Sequence, residues 1–157
     1  MAKYVETEIE IDASAEIVWQ VLSDFDGVAE WNDFIRHIEG ERTKGSRLTV
    51  ELWLGKRKPM TITPRLLAYE PNREFRWKGK LLLPGIFDGE HSFTIEDIGA
   101  GKVRFVHAER FSGILVPLVL GSIKKDLLAS FQKMNEALKL RAEALAVQDP
   151  ASQPPSV

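Results

Sequence analysis

The sequence predicts an α+β fold: a curved antiparallel β-sheet wrapped around one long C-terminal α-helix, with two short helices near the start. Three observations carry this. Between Ile35 and Phe111 the hydrophobic period is two, in runs separated by short turn segments. Between Leu115 and Leu145 the period becomes helical, with Ile123, Leu127, Phe131, Met134 and Leu138 along one face. Two short helical segments stand between the first strand and the later ones. A sheet and a helix with one apolar face each bury those faces against one another, and a helix this long calls for a sheet that curves around it.

The elements follow in order. Tyr4–Ile11 alternates, with Val5, Thr7, Ile9 and Ile11 on one side and Glu6, Glu8 and Glu10 on the other. Asp12-Ala13-Ser14 ends this strand and offers Asp12 or Ser14 as an N-cap. The short helix Glu16–Leu22 follows, with Ile17, Val18, Val21 and Leu22 apolar, and Ser23 to Gly27 breaks it. A second short helix runs from Val28 to about Trp31. Strands are predicted at Ile35–Arg42, Arg47–Leu54, Met60–Tyr69, Glu74–Leu81, Phe87–Glu96 and Lys102–Phe111. Their separators are turn chemistry, among them Lys44-Gly45-Ser46, Glu70-Pro71-Asn72, Leu83-Pro84-Gly85 and Gly99-Ala100-Gly101. Connections this short imply antiparallel pairing. Lys56-Arg57-Lys58 reads as a hairpin tip. In the last helix Pro117 suits a first turn and Gly121 is a soft spot. Residues 1–146 are expected to form a single domain, and the Pro- and Ser-containing stretch 147–157 a disordered tail.

Composition narrows the function classes. The chain has 157 residues, enough for one core, with 44% hydrophobic and 28% charged positions, as in soluble globular proteins. Its 21 basic residues are balanced by 23 acidic ones without a dominant run, so no nucleic-acid partner is expected. The absence of cysteine excludes disulfides, thiolate catalysis and cysteine-based metal sites. The apolar run Ile114–Leu120 is far shorter than the ~20 residues that span a bilayer, so no integral membrane association is expected. Met1–Glu6 lacks an apolar signal core, and a cytoplasmic location is expected. No G-x-S-x-G, Walker, dinucleotide or H-E-x-x-H pattern occurs.

Four stretches carry a family resemblance: ETEIEIDASAEIVWQVLSDFDGVAEWNDFI from Glu6, YEPNREFRWKG from Tyr69, GEHSFTIEDIGAGKVRFVHAERFSG from Gly89, and SFQKMNEALKLRAE from Ser130. In this order and spacing, over about residues 3 to 145, the chain resembles the SRPBCC superfamily (START, pollen-allergen and polyketide-cyclase proteins). It looks most similar to the bacterial polyketide cyclase/dehydrase subgroup. The resemblance implies the helix-grip fold and an elongated hydrophobic cavity between sheet and long helix. It implies a pocket and does not by itself imply an enzyme. The expected partner is a small hydrophobic molecule: a lipid, polyketide, quinone or aromatic compound. No cofactor is expected.

One feature of the residues bears on chemistry. The apolar face of the hairpin Glu90–Phe111 carries His91, Phe93 and Ile95 on one strand and Val103, Phe105, His107, Glu109 and Phe111 on the other. A turn centred on Gly99 would set Ile95 opposite Val103, Phe93 opposite Phe105 and His91 opposite His107, with Glu109 diagonal to His91. Three readings stay open. The polar groups could satisfy one another; they could orient a ligand hydroxyl or carbonyl; or His91 or His107 could move protons while Glu109 holds the imidazole. The residues expected to line a ligand site are Trp77, His91, Phe93, Phe105, His107, Glu109, Phe111, Leu118 and Phe131, and His91, His107 and Glu109 are the catalytic candidates. Two imidazoles and a carboxylate also match a two-His-one-carboxylate metal set. The resembling family is not generally metal-dependent, and no metal is expected. The corner Phe111–Leu118 would serve as an entry gate or a homodimer contact. The expected function is binding of a small hydrophobic molecule in an internal cavity, and the alternative is a polyketide cyclase/dehydratase-type enzyme using His91, His107 and Glu109.

Overall fold

Alternation in the first segment forms strand β1 (Lys3–Ile11), whose Val5 and Ile11 are buried while its glutamates face outward. Helix α1 (Ala15–Leu22) begins where Ser14 Oγ accepts the Ile17 N–H at 3.3 Å, so Ser14 rather than Asp12 is the cap. A 3-10 turn at Val28–Glu30 follows. Then come β2 (Ile35–Glu39), β3 (Thr49–Leu52), β4 (Met60–Ile62), β5 (Arg65–Glu70), β6 (Glu74–Leu81), β7 (Phe87–Gly99), β8 (Lys102–Ser112) and helix α2 (Val116–Gln148). The structure, a computed structural model, describes residues 3–81 and 83–149.

The strands form a five-stranded sheet, β1-β8-β7-β6-β5, and a three-stranded sheet, β2-β3-β4, every pairing antiparallel. A bridge between Arg47 and Arg65, with the Leu66 N–H to Ser46 carbonyl bond (2.8 Å) beside it, links them. With α2 held against the curved large sheet, this is the helix-grip architecture. The division into two sheets corrects one expected element. The strand predicted over Met60–Tyr69 is two strands, because Pro64 lacks the N–H that would continue the ladder. The chain uses that break to pass from the small sheet to the large one. Strands β2 and β3 are also shorter than predicted.

The hairpin register is corrected as well. Ile95 pairs with Phe105, Phe93 with His107 and His91 with Glu109. The observed pairs are centred on Ala100 rather than Gly99, which moves every partner by two residues, and a one-residue irregularity lies between Asp97 and Gly99. A shift of two keeps each side chain on its face. His91, Phe93, Ile95, Phe105, His107 and Phe111 are therefore all buried, as the alternation requires.

Helix α2 is 33 residues long, about 50 Å at ~1.5 Å per residue. Its buried face is Val116, Leu120, Leu127, Phe131, Met134, Asn135, Leu138 and Ala142. It runs unbroken through Gly121 and also includes Val147 and Gln148, where a tail is expected from the sequence; 150–157 lie outside the described residues. Trp19 packs edge-on against Tyr69 at 5.0 Å and Phe75 at 6.2 Å, closing one end of the core. No helix among the described residues is long and apolar enough to cross a membrane.

The corner between β8 and α2 is pinned to the β6–β7 turn by Ile114 N–H to the Gly85 carbonyl (3.1 Å) and Leu115 N–H to the Ile86 carbonyl (3.0 Å). Gly113 makes this possible with φ +127° and a backbone so close to Ile86 that a Cβ would strike its carbonyl oxygen. Gly113→Ala is expected to lower the unfolding free energy by about 1–3 kcal/mol in urea titrations. Gly121→Ala, in open space on a helix, is expected to raise it by up to about 1 kcal/mol.

Candidate functional site

A cavity of about 250 Å³ lies between the N-terminal half of α2, the large sheet and the small sheet. Its walls are Phe34, Leu52, Leu54, Ile62, Trp77, Phe87 and Phe111 from the strands and their flanks, and Val119, Ile123 and Leu127 from α2. The volume is near the lower end of ligand sites, ~300–1,000 Å³, and suits a compact molecule. Charges are sorted by position. Arg57, Lys58 and Lys80 are exposed lining residues and mark the mouth. Glu109, with a side chain 16% exposed, is the acidic group in the wall.

Lys56-Arg57-Lys58 is a loop tip between β3 and β4, and it does more than turn the chain. Arg57 reaches across to α2, donating from Nη2 to the Ser122 carbonyl at 2.8 Å, with Nε 3.4 Å from the Asp126 carboxylate. The small sheet is thereby clipped to the helix over the cavity mouth. Glu109 is accommodated by a glycine: a Cβ at Gly89 would lie 2.5 Å from Glu109 Oε1. Gly89 therefore leaves the space in which the carboxylate lies.

Behind Glu109 the polar residues form a series. Glu109 Oε2 is 3.5 Å from His91 Nδ1, and His91 Nε2 is 2.6 Å from His107 Nε2. His107 Nδ1 is 3.1 Å from Asn135 Oδ1 on α2, and Asn135 Nδ2 donates to Thr7 Oγ1 on β1 at 2.8 Å. Phe131 stacks on His107 with centroids 3.8 Å apart and planes 13° apart, and Phe93 stacks on His91 at 4.6 Å. Phe34 lies 6.0 Å from His91 and 5.5 Å from Phe131, between the rings and the cavity wall it helps to form. His107 is held well below the ordinary histidine range, chiefly by burial and next by the electrostatic influence of the neighbouring His91 imidazole. Hydrogen bonding to Asn135 and to the Phe131 backbone acts the other way and is outweighed.

Of the residues singled out in the sequence, Trp77, Glu109 and Phe111 line the cavity. His91, Phe93, Phe105, His107 and Phe131 are packed in the core outside the cavity lining. Leu118 is 75% exposed and does not line it; its neighbour Val119 does, because one helical position is a rotation of about 100°. His37 is on the surface beside Glu39. The imidazoles bond directly to one another, leaving no room for an ion between their facing nitrogens. Among the described residues no group of three or more His, Cys, Asp or Glu could hold a metal ion. Asn135, Thr7, Gly89 and Phe34 are the participants that sequence reasoning missed. Asn135 had a usable signal, since it stands four residues after Phe131 on the apolar stripe of α2.

Neutral His107 has a consequence for stability. Below the ordinary value of 6.5, the unfolded chain binds a proton at this position that the folded chain does not. This contribution is complete above that pH and is lost as pH falls, by up to about 1.4 kcal/mol per pH unit. Urea unfolding from pH 7 down to pH 5 is expected to show a shallower loss in His107→Gln than in the unaltered protein. Equal slopes would mean that this ring is not the source.

The comparisons with known proteins bear on this geometry. No functionally curated protein matches the sequence. Among solved structures, the di-domain aromatase/cyclase StfQ of the steffimycin biosynthetic pathway superposes with a TM-score of 0.74 at 11% identity, covering 94% of this chain and 52% of StfQ. The chain thus spans about half of that protein. A START superfamily protein from Mycobacterium smegmatis gives 0.72 at 20% identity, covering 90% of this chain and 98% of its own. The Zhui aromatase/cyclase of a Streptomyces species gives 0.67 at 20% identity, with 96% and 98% covered. At these identities the likeness is one of fold. The family model described as polyketide cyclase / dehydrase and lipid transport matches residues 2–143, and the chain belongs to that family, within the SRPBCC superfamily.

Proposed function

We propose that the protein binds a compact hydrophobic molecule in the cavity between α2 and the two sheets, with the polar end of that molecule at Glu109. The observation that carries this reading is the composition of the wall: apolar side chains surround one inner carboxylate, and the cations are confined to the mouth. Ligand sites commonly combine an apolar body with a few placed polar groups that fix orientation. Family membership supports the same reading, since it is described by both cyclase/dehydrase activity and lipid transport. Lipids, polyketides, quinones and other aromatic compounds are the classes to screen.

Thermal-shift and native mass-spectrometry screens across those classes are expected to find at least one ligand. Val119→Trp, which fills the cavity from the α2 side, is expected to weaken its binding by more than about tenfold while leaving the fold intact. Undiminished binding in Val119→Trp would place the ligand elsewhere.

A second reading, acid–base catalysis of the cyclase/dehydratase kind, is favoured by one specific observation. Glu109 combines a place in the cavity wall with a contact to an imidazole. In that reading Glu109 meets the substrate, and His91 and His107 act through it. With short linear poly-β-ketone thioesters as probes, Glu109→Gln is expected to reduce turnover by about 10²-fold or more with binding retained. Equal turnover in the variant would remove Glu109 from any chemistry.

A further inference from the structure

Glu109, His91, His107, Asn135 and Thr7 are linked in series from the cavity to the edge strand β1. In such a series each group's hydrogens are limited, so the direction of one bond sets the next. The far end sets it here. The Thr7 hydroxyl donates its one hydrogen to the His107 carbonyl at 3.3 Å and therefore accepts from Asn135 Nδ2. Asn135 then presents Oδ1 to His107, whose Nδ1 must carry hydrogen. A neutral His107 is left with a bare Nε2, which accepts from His91 Nε2–H. His91 Nδ1 then faces the Glu109 carboxylate. A bare nitrogen opposite a carboxylate is two acceptors with no hydrogen between them, so the junction needs one more proton.

The opposite direction is chemically complete but inferior. It rotates the Asn135 amide, places hydrogen on His107 Nε2 and His91 Nδ1, and leaves Glu109 a carboxylate. The His107 carbonyl loses its hydroxyl donor, and the wall holds a net negative charge beside a His91 side chain only 2% exposed. Burying a net charge costs more than burying a neutral pair. The surroundings do not compensate it. Among the described residues Glu109 has an ion-pair partner only in His91; Phe131, Asn135, Trp77 and Phe34 around the imidazoles carry no charge. Arg57, Lys58 and Lys80 face the same cavity from its solvated mouth.

We infer that the His91–Glu109 junction holds one shared proton, directed there by Asn135 and Thr7, so that the cavity receives a neutral hydrophobic molecule whose inner end is a hydroxyl: an alcohol, phenol or enol. With the proton between His91 Nδ1 and Glu109 Oε2, the remaining oxygen, Oε1, is an acceptor beside Gly89. It can take a hydrogen bond from a ligand hydroxyl. A carbonyl or fully oxidised quinone offers it none, and a neutral junction gives an ammonium no counter-charge. Asn135 is here a positioning residue, acting through His107 and His91. The inference rests on the cavity being the ligand site.

Two measurements test it separately. Nitrogen-15 NMR of histidine-labelled, ligand-free protein reads the tautomers directly, and His37→Gln assigns the signal of the exposed third histidine. The expected result is hydrogen on Nδ1 of His107 and on Nε2 of His91, with a second proton shared toward Glu109. Hydrogen on Nε2 of His107 and only on Nδ1 of His91 would overturn the proton assignment. Titration with three shape-matched probes, 2-naphthylmethanol, 2-naphthaldehyde and 2-naphthylmethylamine, then reads the ligand class. The alcohol is expected to bind about tenfold tighter than either of the others. Equal binding, or preference for the amine, overturns the inference and leaves the cavity reading standing. Binding of none of the three, with the tautomers as expected, overturns the assigned ligand class and counts against the cavity reading.

Discussion

A buried imidazole needs a partner for each ring nitrogen, and those of His107 come from different elements. His91 on the neighbouring strand β7 meets one, and Asn135 on α2 meets the other. An unmade bond at such a site costs about 1–3 kcal/mol. Sheet and helix are therefore held at a fixed separation at this level by directional contacts. The stacked Phe131 fills the rest of the space. Thr7 extends the same constraint to β1, so the polar series ties the helix to three adjacent strands, β1, β8 and β7.

The position of that tie explains where the cavity lies. The C-terminal half of α2 is packed through Leu138 and Ala142 and held at its flank by Glu143 accepting the Asp12 N–H at 2.9 Å. The N-terminal half, with Val119, Ile123 and Leu127, faces the gap between the sheets instead. It is anchored at its start by the Gly113 corner and along its side by Arg57. A helix secured at both ends and in the middle can stand off the sheet in between without losing its place. Polar chemistry enters that gap at one inner point, Glu109.

Much of this was legible in sequence because strand periodicity is local. Alternation alone puts His91, His107 and Glu109 on one face, and it does so even when the pairing register is misjudged by two residues. The register itself depends on where the turn is centred, Ala100 rather than Gly99, and on the irregularity beside it, backbone geometry that alternation does not encode. Pro64 announced the break between β4 and β5 by its missing N–H, yet the surrounding pattern of two continues across it. Leu118 and Val119 show the limit for helices: both are apolar neighbours, and only the helix's rotation against the sheet separates an exposed side chain from one in the cavity wall. Asn135 stands on the apolar stripe of α2, where spacing marks it as inward-facing but names no partner. Its meaning comes from a histidine 28 positions earlier.

The sequence by itself determined the classes of element, their order, the apolar faces and the family to which they belong, since these follow from near-neighbour periodicity, turn chemistry and recognisable stretches. Tertiary structure alone decided which polar groups touch, how the hairpin pairs and which helix residues stand over the gap. Those features depend on contacts between residues such as Thr7 and Asn135, 128 positions apart. Hydrogen bonds are set by ångström distances and donor direction, and neither is carried by the spacing of residues along a chain.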